Sequence, residues 1–301
     1  MTDVQTLRTR LARKPIVVAP GVYDALTAHL AEQAGFATLY VSGAAIAYTR
    51  LGRPDIGLVS MSEVVDIVSV IRDRVDAHLV VDADTGYGNA LNVGRTMRLF
   101  ERAGANAIQL EDQTFPKRCG HFDDKTLIPA EEMTGKIKAA LDARESPETL
   151  LIARTDAIAV EGFERAIVRA ALYREAGADV LFVEAPKTRA ELERIPAALR
   201  GAPLMANMVE AGKTPPLNAA ELEELGFALV IFPGGVVRAL ARTAGEYYAS
   251  LAAHGSSSAF RARMLDFAGL NEVIGTPSML ALGKRYESTA PAPDTKKRSR
   301  S

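Results

Sequence analysis

The sequence predicts an α/β fold, a closed (β/α)8 barrel, and three observations carry that expectation. Eight short apolar, β-branched runs recur along 301 residues, helix-like stretches separate them, and several of those stretches end in glycine just before the next run. The runs are Ile16–Ala19, Leu39–Val41, Leu79–Val81, Ala107–Leu110, Leu150–Ala153, Val180–Val183, Leu204–Ala206 and Leu229–Phe232. They lack strict polar alternation, as strands buried on both faces should.

Between the runs, 62–72, 93–103, 130–143, 163–176 and 219–225 carry apolar residues at helical spacing. Gly35, Gly104, Gly177 and Gly226 follow helix-like stretches, where a left-handed residue ends a helix. A doubly wound open sheet is the alternative, but its glycine-rich phosphate turn is missing: the first run leads into Ala19-Pro20-Gly21-Val22-Tyr23-Asp24. Leu7 and Leu11 mark a short amphipathic helix at the start. After the eighth run come a helix over 236–253, a polar break at 254–258 and a further helix over 259–269. One catalytic domain over 1–287 is expected, followed by a disordered polar tail over 288–301. That tail's basic run reads as solvated rather than anion-binding.

Composition narrows the function. Thirty-six basic against thirty-seven acidic residues give a net charge of −1, which excludes the positive skew of a nucleic-acid binder. No uncharged apolar stretch is long enough to span a bilayer, and the N-terminus has no apolar signal region. A single cysteine forbids an internal disulfide and points to a reducing cytoplasm.

Chemistry in such a barrel sits at the C-terminal ends of the strands. The residues after the runs are Ser42-Gly43-Ala44, Asp82-Ala83-Asp84, Glu111-Asp112, Arg154-Thr155-Asp156, Glu184 and Asn207. Asp82 and Asp84, two apart on an extended segment, should project to one side, with Glu111 as lateral neighbour. An all-oxygen cluster of this kind suits Mg2+ or Mn2+, and the absence of a His/Cys cluster argues against zinc. The competing reading makes these acids helix caps or partners of Arg154, and it is preferred for Asp112 and Asp156. Cys119 sits in Lys117-Arg118-Cys119-Gly120-His121, on a long loop from Gln113 to Ile128. It reads equally well as a small buried apolar residue or as a thiol activated by basic neighbours. A loop of that length is expected to act as a lid. His29, His78 and His254 have no chemical company and read as structural.

Taken together and in order, Ser42-Gly43, Pro54-Asp55-Ile56-Gly57, Asp82 to Gly88, Glu111-Asp112-Gln113, Lys117 to His121, Ala153 to Ala157 and Ala206-Asn207-Met208 resemble the isocitrate lyase/phosphoenolpyruvate mutase superfamily. The Lys-Arg-Cys-Gly-His segment resembles its lyase branch, the 2-methylisocitrate and 2,3-dimethylmalate lyases in particular. The resemblance implies a barrel whose last helix is exchanged between subunits in a homotetramer, a dimer of dimers. It implies one Mg2+ on Asp84, with Asp55, Asp82 and Glu111 acting mostly through bound water.

The implied reaction is retro-aldol cleavage of a 2-hydroxy carboxylate into a 2-oxo acid and a carboxylic acid. In that reading Arg154 stabilises charge on the oxo-acid half, and the Ser42, Gly43 and Ala44 amides hold its carboxylate. Cys119 protonates the nascent carbanion, while His121 and Glu184 orient it. Arg118, Gly120 and Asn207 contact substrate, with Asn207 on the far carboxylate. Tyr40 is a wall, a proton acceptor or a core residue. Arg238 falls where 2-methylisocitrate lyases carry an arginine for a third carboxylate. Against that, Ser42-Gly43-Ala44-Ala45 lacks those lyases' third glycine, and Asn271 to Gly275 is similar to the dimethylmalate lyase side. Phosphonomutase chemistry and oxaloacetate decarboxylation or hydrolysis are the alternatives.

Overall fold

A computed structural model describes residues 5–118, 120 and 124–287. The predicted tail over 288–301 lies outside the described residues. Eight parallel strands close into a barrel in chain order: β1 Val17–Val22, β2 Thr38–Val41, β3 His78–Asp82, β4 Ala107–Glu111, β5 Leu150–Thr155, β6 Val180–Val183, β7 Leu204–Asn207 and β8 Leu229–Phe232. All eight predicted runs are strands. β8 returns to β1 through the register Val17↔Leu229 to Pro20↔Phe232.

Each strand divides its residues by parity. Val80, Ala107, Leu150, Ile152, Val180, Phe182, Met205, Leu229 and Ile231 pack together inside the barrel. Their neighbours Leu79, Val81, Ile108, Leu151, Leu181 and Val230 pack outward with Val68, Phe100, Ile137 and Tyr173 of the surrounding helices. Alternation of side chains along a strand makes this division obligatory. It also means that the last inward positions, Asp82, Glu111, Arg154, Glu184 and Asn207, face the C-terminal mouth. Apolar layers below them leave no other outlet. Leu7 and Leu11, from the N-terminal helix Leu7–Leu11, join the inner cluster.

The helices end as their glycines require. Gly35, Gly104, Gly177 and Gly226 have φ of 94°, 100°, 106° and 108°, the left-handed region that costs other residues about 1–2 kcal/mol.

The chain divides into two compact units, 1–241 and 242–301. In the second, Tyr247 meets the Phe260 ring edge-on at 5.5 Å, and Arg263 pairs with Glu246. The helix expected over 259–269 is not continuous. A 3-10 helix covers Ser257–Arg263, Met264 is extended, and Asp266 accepts from the Gly269 amide at 2.7 Å to start a separate helix, Phe267–Ile274. A capping aspartate interrupts what periodicity alone reads as one helix. Neither Phe267–Ile274 nor the final helix Thr276–Glu287 buries a residue, and Phe267 is 88% exposed. No helix among the described residues is long and apolar enough to cross a membrane.

Candidate active site

A cavity of about 60 Å3 opens at the C-terminal mouth, lined among others by Tyr40, Ser42, Asp55, Arg154, Glu184 and Arg238.

Two aspartates converge on it, by a route other than the predicted one. The strand ends at Asp82, and Asp84 adopts a left-handed backbone with φ 48°. They are therefore not two steps along one extended segment. The turn nevertheless carries both carboxylates to Gly43, where a Cβ would stand 3.2 Å from Asp82 Oδ2 and 3.5 Å from Asp84 Oδ1. Asp82 Oδ1 also accepts from the Asp84 amide at 3.2 Å. Aspartate tolerates this conformation better than most residues, at some cost in strain.

Below the acids, Tyr40 donates to Gln109 Oε1 at 3.1 Å, and Gln109 Nε2 donates to Asp82 Oδ1 at 3.2 Å. Burial first, then the Asp82 charge, pushes the Tyr40 hydroxyl well above the ordinary phenol range. Tyr40 therefore stays protonated at neutral pH and donates to Gln109, which fits the wall or core alternatives for it better than the proton acceptor.

Lys117 enters the acid cluster from the loop after β4. Its Nζ lies 2.6 and 2.7 Å from the two oxygens of Asp55 and 2.7 Å from Asp84 Oδ1. The contact with Asp84 Oδ1 has ion-pair distance but not hydrogen-bond geometry, and among the described residues that buried oxygen has no hydrogen-bond partner. Burial pushes the Asp84 carboxyl up, to about 7 after Lys117 opposes it and Asp82 and Asp55 reinforce it. Burial acts against the charged Lys117, but Asp84, Asp55 and Glu111 outweigh it and raise its pKa well above the usual lysine value.

Arg154 is the second cation. It forks onto Asp156 with Nε–Oδ2 at 2.8 Å and Nη2–Oδ1 at 3.0 Å. Nη1 stands 3.3 Å from Glu111 Oε2, and Nη2 stands 3.9 Å from Glu184 Oε1. Burial pushes Asp156 up, but Arg154 and Lys125 more than offset it and hold the carboxyl well below its ordinary range. Glu111 goes the other way: burial raises it far above the carboxylate range, and its Oε1 has no hydrogen-bond partner among the described residues. Asn207 gives its amide hydrogens to Glu184 at 3.2 and 3.3 Å, and its own buried oxygen has no partner among the described residues.

Asp112 braces the end of β5, accepting from Thr155 Oγ1 at 2.7 Å, the Asp156 amide at 2.9 Å and Tyr173 at 2.7 Å. Asp156 pairs with Arg154. Both fit the structural reading preferred for them.

Three expectations change. Ser42's own amide donates to the Val22 carbonyl at 3.0 Å, because β2 still pairs with β1 there. Its hydroxyl accepts from Ala45 at 3.3 Å, so only Gly43 and Ala44 retain amides for a carboxylate. Arg118 is exposed and does not line the cavity, because the Gln113 amide clamps its backbone at 2.8 and 2.9 Å. Lys117, predicted to activate the thiol, is committed to Asp55 and Asp84. Arg238 lines the rim, where it pairs with Glu210 at 2.6 Å. Cys119 and His121 lie outside the described residues.

The loop returns to the barrel at both ends. Gln113 and Leu127 form an antiparallel bridge, and the Ile128 amide donates to Asp112 O at 2.9 Å. Gly120 is buried, and a Cβ on it would collide with Glu184 and Arg154. Gly120→Ala is therefore expected to lower kcat/KM at least tenfold, since displacement of about 1 Å at a reacting centre costs up to about 100-fold. Steady-state kinetics check this, and a parent-like kcat/KM would show that the contact is dispensable.

Six buried carboxylates (Asp55, Asp82, Asp84, Glu111, Asp156, Glu184) thus share the mouth with three buried cations, Lys117, Lys125 and Arg154. Among the described residues no three His, Cys, Asp or Glu side chains close into a metal cage. Mg2+ does not need one, because it binds through one or two carboxylates and keeps several waters. The acid excess, the Glu111 oxygen without a hydrogen-bond partner among the described residues and the all-oxygen donor set fit that ion.

A family model described as phosphoenolpyruvate phosphomutase matches residues 7–252. The chain is 39% identical to a 2,3-dimethylmalate lyase of Eubacterium barkeri over 286 residues, covering 95% of this chain and 99% of that one. It is 50% identical to a 2-methylisocitrate lyase of Aeropyrum pernix over 233 residues, 77% and 74% of the two chains. A crystal structure of 2,3-dimethylmalate lyase superposes with TM-score 0.88 at 33% identity, covering 97% of each chain. One of phosphonopyruvate hydrolase with oxalate and Mg2+ does so at 0.85 and 33%, covering 95% and 99%.

Proposed function

Because the chain belongs to the phosphoenolpyruvate mutase/isocitrate lyase superfamily, we propose that it is a Mg2+-dependent carbon–carbon lyase acting on a 2-hydroxy di- or tricarboxylate of the 2,3-dimethylmalate or 2-methylisocitrate type. The observation that carries this reading is the buried acid excess facing Arg154 at the barrel mouth.

Asp84 would hold the ion, with Asp55, Asp82 and Glu111 reaching it mostly through water. When bound, Mg2+ supplies Lewis-acid stabilisation of a 2-hydroxy or 2-oxo carboxylate. Arg154 holds charge on the oxo-acid half, and the Gly43 and Ala44 amides hold its carboxylate. Loss of the hydroxyl proton drives the C2–C3 bond to break, and its electrons leave in the enolate of the second acid. Cys119 gives that carbon a proton, with His121 and Glu184 orienting the thiol. Asn207 binds the far carboxylate, and Arg238 the third where the substrate has one. The protein acts as a cytoplasmic homotetramer, residues 1–287 forming its catalytic domain; the uncovered apolar side chains of Phe267, Leu270, Met279 and Leu280 support burial against another copy.

Incubation with Mg2+ and a panel of 2,3-dimethylmalate, 2-methylisocitrate and isocitrate tests the reading. Release of a 2-oxo acid that stops on chelation with EDTA is expected. Silence on the whole panel from folded protein would overturn it, and a phosphonate signal in the 31P spectrum, or oxalate from oxaloacetate, would reassign the reaction.

A further inference from the structure

Lys125 is buried, yet no step above uses it. It lies on the returning limb of the loop, just before Thr126, whose carbonyl accepts from the Thr114 amide at 2.9 Å. Its Nζ stands 2.5 Å from the carbonyl oxygen of Gly120 and 2.7 Å from Asp156 Oδ1. Asp156 is in turn forked onto Arg154, and Gly120 lies against Arg154 and Glu184. One ammonium therefore joins a loop carbonyl to the carboxylate that orients the arginine.

A lysine buried only for stability needs acceptors of any kind. This one divides its donors between two partners from different strands' loops that meet at the same guanidinium. Burying such a charge costs several kcal/mol before its partners compensate. Apolar residues would fill the space without that penalty.

We propose that Lys125 is a positioning residue that locks the main chain at Gly120 onto the Asp156–Arg154 pair, fixing both against the substrate's oxo-acid half. This rests on the lyase reading for the role of Arg154. Lys125 touches no reacting atom. It sets where Arg154 and the residue following Cys119 stand relative to one another, so its loss should affect turnover more than binding.

Lys125→Met and Lys125→Gln test it on the full-length protein with Mg2+. Glutamine keeps a neutral donor for one acceptor. In Lys125→Met, kcat is expected to fall about 100-fold with KM within about threefold, the signature of misplacement at the reacting centre. Lys125→Gln should fall between it and the parent. Hydrogen exchange read by mass spectrometry should accelerate at least tenfold in the peptide over 113–127, and stay parent-like in peptides over β6 to β8. A parent-like kcat in Lys125→Met would overturn the proposal. Exchange that rises equally across the barrel would too, because it reports a merely structural role. Should the parent cleave no acid, the lyase reading fails, while the exchange measurement still decides whether Lys125 pins this segment.

Discussion

Replacing Cys119 with serine is expected to lower kcat by at least about 100-fold, the lower end of what a positioned general acid contributes. Serine keeps nearly the same shape, so the change isolates acidity. A thiol ionises near pH 8.5 and surrenders its proton readily, whereas an alkyl hydroxyl does not at any pH the protein survives. Gly120, next in the chain, is buried against Arg154 and Glu184. Two measurements distinguish chemistry from folding. Turnover of the acid that the parent cleaves should drop, while oxalate affinity in the presence of Mg2+, read by calorimetry, should remain within about threefold. A variant with near-parental turnover would remove Cys119 from the mechanism.

Arg154→Met should be more damaging still, because two losses coincide. The guanidinium faces Glu111, Asp156 and Glu184 together, and all four groups are buried. Deleting one partner of a buried charge network costs about 3–5 kcal/mol, since the surviving carboxylates lose compensation without regaining water. Transition-state charge on the oxo-acid half also loses its donor, which is worth about 100- to 1,000-fold in kcat.

The stability loss should depend on pH in a definite direction. In the parent, Asp156 is held far below its unfolded value, so its contribution is complete above the ordinary carboxylate range, begins to fall there and is lost only as pH drops through the much lower folded value. In the variant only Lys125 still opposes burial at this carboxyl, so its folded value rises above the parent's and protonation relieves the penalty at a higher pH than in the parent. The gap between parent and variant in urea midpoint should therefore narrow from pH 7 to pH 4. A constant gap would mean that Asp156 is not the group whose compensation is lost.

Several of these groups are visible before any coordinates. Asp82, Glu111, Arg154, Glu184 and Asn207 each stand at the end of an apolar run, and strand parity turns them toward the same opening once the runs are recognised as barrel strands. Other positions are illegible for equally physical reasons. Lys117 and Lys125 sit in a polar loop, where a lysine ordinarily reaches water; their burial depends on acids 62 and 31 residues away. Gln109 reads as an interruption in an apolar run, and only the closed barrel sets Tyr40 and Asp82 on either side of it. Residues 259–269 read as one continuous helix from the sequence, because periodicity does not register the capping bond from Asp266.

What the chain order alone determined was the alternation of strand and helix and the identity of the polar residue at each strand's end. Both follow from local rules: apolar period, glycine at helix ends, and opposite faces for successive side chains. The three-dimensional closure decided everything that depends on distance. It turned Asp84 through a left-handed step, withdrew the Ser42 amide into the sheet, sent Arg118 outward, and brought two lysines in among the carboxylates. Long-range electrostatics and burial assign those partners, and they act only after the barrel has brought remote loops to one mouth.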